Sequence, residues 1–248
     1  MRHKTSVIIL AGGKGTRMNS DLPKAMQPLA GSPLLEHVLK TARTLDPEIL
    51  AIVVGHKRNL IKDFFQNDDI TFITQEQQLG TGHAVDCASE VFTKYNGDVV
   101  ILAADIPLIQ TTTILKMLAT HRSNGSAITV LTCEMDNPAS YGRIIRDGNR
   151  VVANVEEKDA SDEQLKIKEI NSGIYVFDAK FLFSRLKQVD NNNAQSEYYL
   201  TDLIAMAVAD GRLVSTEVTT HGHDEITGVN TLEELSALEE SLICGPDR

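Results

Sequence analysis

Four apolar runs rich in branched residues fall in the first hundred or so positions: "SVIIL" (6–10), "EILAIVV" (48–54), "ITFIT" (70–74) and "DVVILAA" (98–104). None shows the polar alternation of a strand with one wet face. Strands apolar on both sides must be covered on both sides, which is the condition of a parallel sheet packed between helices. The segments between them carry helical spacing. "PLLEHVLKTARTL" puts Leu34, Leu35, Val38, Leu39, Ala42 and Leu45 on one face, with Pro33 near its start. "GHAVDCASEVF" and "TTTILKMLATHR" predict further helices, and "SAITVLT" a further strand. Alternation at this spacing predicts right-handed crossovers and an α/β fold with a mostly parallel sheet and helices on both faces.

After about Asn137 the texture changes. "YGRIIRDGNRVVANVEEKD" holds two β-like runs around Asp147-Gly148, a hairpin-turn signal. "EINSGIYVF" predicts a strand, "AKFLFSRLKQ" a helix, "DNNNAQSEYY" a polar loop, and "LTDLIAMAVADG" a helix ending at Gly211. "LVSTEVTTH" alternates as an edge strand does. "NTLEELSALEESL" closes as an amphipathic helix with Asn230 as a candidate N-cap. With no repeat and no clear linker, residues 1–248 are expected to form a single domain. Residues 1–136 would form its core, 137–230 a small β-rich lobe elaborating the same sheet, and 231–248 a closing helix and tail.

The loop after the first run is unusual for this chain. "AGGKGTRMNSDLPK" sets three glycines, two lysines and an arginine in fourteen residues, although the protein carries a formal net charge of −10. That balance argues against broad binding to nucleic acid. Cys87, Cys133 and Cys244 are far apart and odd in number, so neither a disulfide framework nor a zinc motif is expected, and a reducing cytoplasm is the expected home. Arg2, His3 and Lys4 precede an apolar run too short for a signal peptide. No run approaches the ~18 residues of a membrane span, so no membrane association is expected.

A strand followed by a glycine-rich loop delivers backbone amides to anions at the carboxyl edge of a parallel sheet. Two common versions fail here. A P-loop needs Gly, four residues and then Gly-Lys-Ser/Thr, but Gly13-Lys14 is followed by Gly15 and preceded at the required distance by Ile8. The dinucleotide fingerprint fails at Met18. The second strand also ends in Val54-Gly55-His56, without an acidic residue for a ribose. What remains is "AGGKGTR" followed by Pro23-Lys24. Seven residues reach at most about 23 Å, so Arg17 and Lys24 can close round one polyphosphate.

"LAGGKGTRM…LPK" resembles the signature of the sugar-phosphate nucleotidyltransferases, a family with a dinucleotide-binding-like core. "QEQQLGTGHA", "YGRI", "VEEKDA", "EINSGIY" and "NNNAQSEYYLTD" narrow the resemblance to the N-acetylglucosamine-1-phosphate uridylyltransferases, over almost the whole chain and in order. The resemblance implies UTP and a sugar 1-phosphate as the bound partners, Mg²⁺ as cofactor, and UDP-N-acetylglucosamine and pyrophosphate as products. It assigns Ala11, Gly12, Gly13, Gln75, Gly80 and Thr81 to the nucleotide. Catalysis falls to Arg17 and Lys24, and the metal to Asp105 and Asn230. The sugar side would use Gly142, Glu156, Asn171, Tyr199 and Thr201, with Lys158 close to its phosphate. Some of these residues have plainer readings. Gln75 alone would be a solvated loop residue, Glu156 and Lys158 a charged surface run, and Asn230 the helix cap already named.

Two departures bear on the expectation. Close relatives carry Tyr-Gly before the metal aspartate, where this chain has Ala103-Ala104. The change removes an aromatic ring from the sugar pocket and adds a methyl beside the ligand. The alternatives it keeps open are another sugar 1-phosphate, such as glucose 1-phosphate, and a non-catalytic nucleotide-sugar sensor. The second departure is that no hexapeptide-repeat acetyltransferase segment follows, so no acetyl transfer is expected of these residues. The sequence leaves the oligomeric state open.

Overall fold

The computed structural model describes residues 3–66 and 69–244, without the side chains of 243 and 244. Arg2, the Cys244 side chain and the tail 245–248 lie outside the described residues. The expected α/β architecture is present. β1 (Thr5–Ala11) leads through two short 3₁₀ turns into a tight hairpin of β2 (Pro28–Leu29) and β3 (Ser32–Pro33), then α1 (Leu34–Thr44). β4 (Leu50–Val54), α2 (Arg58–Phe64), β5 (Thr71–Thr74), α3 (Thr81–Asp86), β6 (Asp98–Ala103), α4 (Thr111–Asn124) and β7 (Ile128–Glu134) follow. The second half supplies β8 (Arg143–Asp147), β9 (Arg150–Val155), α5 (Asp162–Leu165), β10 (Glu169–Asp178), α6 (Ala179–Arg185), α7 (Asp202–Ala209), β11 (Val214–Val218) and α8 (Leu232–Cys244).

The main sheet runs β11-β7-β10-β6-β1-β4-β5. β6, β1, β4 and β5 are parallel, as is the β11–β7 pair, while β10 enters antiparallel to both β6 and β7. The hairpin expected around Asp147-Gly148 forms β8 and β9, with Gly148 in the left-handed region. It joins the same sheet through β10, so the second half extends the first.

Strand alternation sorts the core into two layers. Ile8, Ile101, Val130 and Phe177 face α3, α6 and α7, meeting Val85, Leu182 and Leu203. Val7, Ile9, Val100 and Leu102 face α1, α2 and α4, meeting Val38, Ile61 and Met117. This explains why the early strands read as unbroken apolar runs. The helix predicted over "GHAVDCASEVF" is shorter than expected. α3 stops at Asp86, and i→i−3 bonds such as Ala88 N–H to Val85 O and Tyr95 N–H to Phe92 O then carry the chain as turns. The tighter winding still buries Val85, Ala88 and Phe92 in one layer.

Ile101 is fully buried at the centre of β6, the strand whose end carries Asp105. Ile101→Ala should cost about 2–5 kcal/mol, read as a lower urea midpoint at unchanged m-value.

Candidate active site

The glycine-rich loop leaves β1 at the carboxyl edge of the sheet, where ligands bind in open α/β folds. Its turn at Thr16–Met18 is held by Met18, which is buried with Leu29, Leu34, Val229, Leu235 and Leu238. With Met18 pointing inward, its neighbour Arg17 stays exposed. The following Pro23 is extended and delivers Lys24 in a second 3₁₀ turn. The two ends of the loop approach closely, and a Cβ at Gly15 would lie 2.9 Å from Lys24 Cβ.

Lys24 and Arg17 meet at one atom. Lys24 Nζ donates to Asn230 Oδ1 at 2.8 Å, and Arg17 Nη2 donates to the same oxygen at 3.0 Å. Lys24 Nζ is also ion-paired with Asp105 Oδ2. Asp105 stands just past β6, and its carbonyl accepts from Val229 N–H at 2.8 Å, which fixes the Gly228–Asn230 segment beside it. Among the described residues no group of three His, Cys, Asp or Glu side chains is gathered for a metal. Yet one carboxylate oxygen and one amide oxygen converge on a single ammonium, so their lone pairs point at one cationic position. That donor set fits Mg²⁺, which takes few protein oxygens and completes its shell with water and phosphate.

The expected Asn230 cap is corrected. α8 is capped by Thr231, whose hydroxyl accepts from Glu234 N–H at 3.1 Å, while Glu234 Oε2 accepts from the Thr231 and Asn230 amides. This reciprocal box leaves the Asn230 side chain to face Lys24.

A pocket of about 600 Å³ opens over this cluster. Ala11, Gly12, Gly13, Arg17, Lys24, Gln75, Gly80, Thr81, Asp105 and Asn230 all line it, as do Ala103 and Ala104. Gln75 follows β5 directly and is buried. Gly80 adopts φ +111°, and a Cβ there would lie 2.6 Å from Tyr198 O. A close approach to the Tyr198 backbone therefore requires glycine here. Gly82 N–H to Tyr198 O, Tyr198 N–H to Leu79 O, and Leu200 N–H to Thr81 Oγ1 tie the two segments together.

Of the residues expected on the sugar side, Gly142, Glu156, Asn171 and Thr201 lie in a second group, outside that pocket lining. Thr201 Oγ1 donates to Glu156 Oε1 at 3.1 Å, and Asn154 Nδ2 donates to the same oxygen at 2.9 Å. Asn171 Nδ2 donates to Tyr175 Oη at 2.7 Å, and Asn171 N–H bonds Gly142 O. Tyr199 stands apart, its hydroxyl engaged by Gln195 and Asp159, and Lys158 is exposed and bonded to Gln195. Tyr175, Gln78 and Glu197 line the pocket and Asn154 contacts Glu156, none of which the sequence reading named. Tyr175 lay within the quoted "EINSGIY", but a buried strand tyrosine gives no sign that its hydroxyl reaches a site.

Burial pushes the Glu156 carboxyl above the ordinary range, opposed by its Thr201 and Asn154 bonds and reinforced by Asp159 and Glu197. Asp202 is pushed up to about 6, chiefly by burial and then by Asp190, Glu156 and Asp159.

Residues 6–223 match the family model described as nucleotidyl transferase. The chain belongs to the nucleotidyl transferase family. It is 46% identical over 233 residues to a protein named "Bifunctional protein GlmU" from Pelobacter propionicus, covering 93% of this chain and 50% of that protein. It is 49% identical over 211 residues to the protein of the same name from Geotalea daltonii, covering 84% and 46%. The chain thus spans about half the length of the curated relatives it matches. A solved structure of UDP-glucose pyrophosphorylase complexed with UDP-glucose superposes with a TM-score of 0.77 at 18% identity, covering 97% of this chain and 98% of that one. At that identity the likeness concerns the fold.

A divalent cation entering between Asp105 and Asn230 would have to displace the Lys24 ammonium. Lys24→Ala should therefore bind Mn²⁺ more tightly, by about tenfold or more, in an electron paramagnetic resonance titration. Asp202 gives a separate prediction. A carboxyl whose folded pKa is raised destabilises the fold as pH climbs from the ordinary carboxylate range through about 6. Asp202→Asn should therefore raise the urea midpoint at pH 8 and match the wild type at pH 4.

Proposed function

We propose that the protein catalyses transfer of the uridylyl group of UTP to N-acetylglucosamine 1-phosphate, giving UDP-N-acetylglucosamine and pyrophosphate. The observation that carries this reading is the meeting of Arg17, Lys24, Asp105 and Asn230 in the lining of a pocket to which the glycine-rich loop contributes. The relatives named GlmU and the motifs shared with uridylyltransferases support the choice of substrates. Residues 1–136 would bind the nucleotide and 137–230 the sugar, within one domain.

A sugar phosphate oxygen is already anionic, so attack in line on the α-phosphorus needs no strong base. The task is to hold two mutually repelling anions together and to stabilise charge as it shifts to the leaving group. Lys24 would bind the α-phosphate and Arg17 the departing pyrophosphate. Glycine-loop amides would cradle the triphosphate, while Glu156, Thr201, Asn171 and Asn154 would orient the sugar hydroxyls and acetamido group. Asp105 and Asn230 would hold Mg²⁺, which supplies charge neutralisation to both reactants when bound.

One feature favours a second reading. Ala103 is half-buried at the pocket and carries only a methyl, so the end of β6 itself puts no ring ahead of Asp105. Glucose 1-phosphate is the alternative acceptor, and a sensor that binds without turnover is the non-enzymatic one. Pyrophosphate release measured across a panel of nucleoside triphosphates and sugar 1-phosphates separates these readings. UTP with N-acetylglucosamine 1-phosphate should give the highest kcat/KM, and release with no pair would sink the enzyme reading.

Lys24→Ala should lower kcat/KM by roughly 10²–10³, the loss typical of one positioned charge-stabilising donor. Asp105→Asn should shift the Mg²⁺ activation curve to higher concentration, and an unshifted curve would remove Asp105 from the metal assignment.

A further inference from the structure

Gln75 is only 4% exposed, and both hydrogens of its amide nitrogen are engaged. Nε2 donates to Gly80 O at 3.1 Å and to His83 Nδ1 at 3.1 Å. A backbone carbonyl only accepts, so the first bond fixes which end of the amide is nitrogen. The second requires a bare Nδ1 and so places the ring proton on Nε2, which lies 3.9 Å from Cys87 Sγ. Among the described residues, no hydrogen bond reaches Gln75 Oε1. That oxygen lies against Gly12 in the pocket, 2.8 Å from where a Cβ at Gly12 would stand.

We infer that His83 is a positioning residue for base selection: by accepting the second amide hydrogen, it presents Gln75 to the nucleotide as an acceptor alone. This rests on the nucleotide-binding reading above and goes one step beyond it. Where Oε1 faces ring atom N3, an acceptor-only amide welcomes a base whose N3 carries hydrogen; cytosine's donor on the same edge is its 4-amino group, one position away. Uracil offers N3–H. Cytosine offers a bare N3, whose lone pair would face Oε1 and leave two acceptors opposed in a dry site. UTP and CTP differ only on this edge, which makes them the probes.

Loss of the His83 acceptor frees one Nε2 hydrogen and loosens the amide, which can then turn a donor toward the base. Equilibrium binding of UTP and of CTP, each with Mg²⁺, is measured by calorimetry on the wild type, His83→Ala and His83→Asn. The wild type should prefer UTP. In His83→Ala the UTP:CTP affinity ratio should fall by roughly ten- to a hundredfold. His83→Asn, whose amide oxygen can stand where Nδ1 stands, should recover most of that ratio. A merely structural histidine would lower both affinities together and leave the ratio unchanged. An unchanged ratio in a His83→Ala protein that melts like the wild type would overturn the inference while leaving the nucleotide reading intact. Failure of His83→Asn to restore a lost ratio would also count against it. Wild-type protein that binds neither nucleotide would overturn the nucleotide reading itself, and this inference with it.

Discussion

The Lys24 ammonium lies between Asp105 and the Asn230 side-chain oxygen, joining three stretches of chain far apart in sequence. Arg17 closes on the same Asn230 oxygen. A fourteen-residue loop with three glycines would otherwise lose much conformational freedom on ordering, with little apolar area of its own to offset the cost. Two anchors make the ordered loop affordable. The polar one is this charge cluster, and the apolar one is Met18, buried with residues of the β2–β3 hairpin and α8. In a protein of net charge −10, the cluster also concentrates positive side chains in the glycine-rich loop at the carboxyl edge of the sheet.

The sheet sets this arrangement. β1 and β6 are adjacent and parallel, so the loop after one and the aspartate after the other emerge side by side at the same edge. The Asp105 carbonyl then carries the Gly228–Asn230 segment through Val229, which brings the second metal candidate to the first. Since the ligands come from strand ends and a capped helix start, their spacing is inherited from a rigid framework. The capping box at Thr231 and Glu234 contributes to this, because it satisfies the α8 terminus without the Asn230 side chain.

The unbroken apolar runs announced β1, β4 and β6 because burial on both faces leaves a direct trace in composition, whereas β5, expected to be covered in the same way, is the sheet edge with only Ile73 buried. The Asp-Gly turn announced β8 and β9 for an equally local reason. The antiparallel entry of β10 between β6 and β7 was not legible, since pairing partners are chosen across the fold and "EINSGIYVF" reads the same in either direction. Asn230 misled as a cap because both it and Thr231 are good capping residues. The deciding feature was Glu234, three positions after Thr231 and four after Asn230. The residues of the nucleotide loop were recognisable as a motif, but the sharing of one oxygen by Arg17 and Lys24 was not. His83 gave no signal at all, because a histidine in a short helix declares a role only when its neighbour's hydrogen bonds can be counted.

The segment that carries Gly80 and the group around Glu156 are joined through residues 198–201. Gly80 O, which fixes the Gln75 amide, belongs to a segment pinned by backbone bonds to Tyr198 and by the Thr81 hydroxyl to Leu200. Tyr199, Leu200 and Thr201 continue directly into the group around Glu156. A shift of that segment near Glu156 would move Gly80 and with it the Gln75 amide. The glycine at position 80 is the residue that permits this contact, since a Cβ there would lie 2.6 Å from Tyr198 O and push the 79–82 segment away.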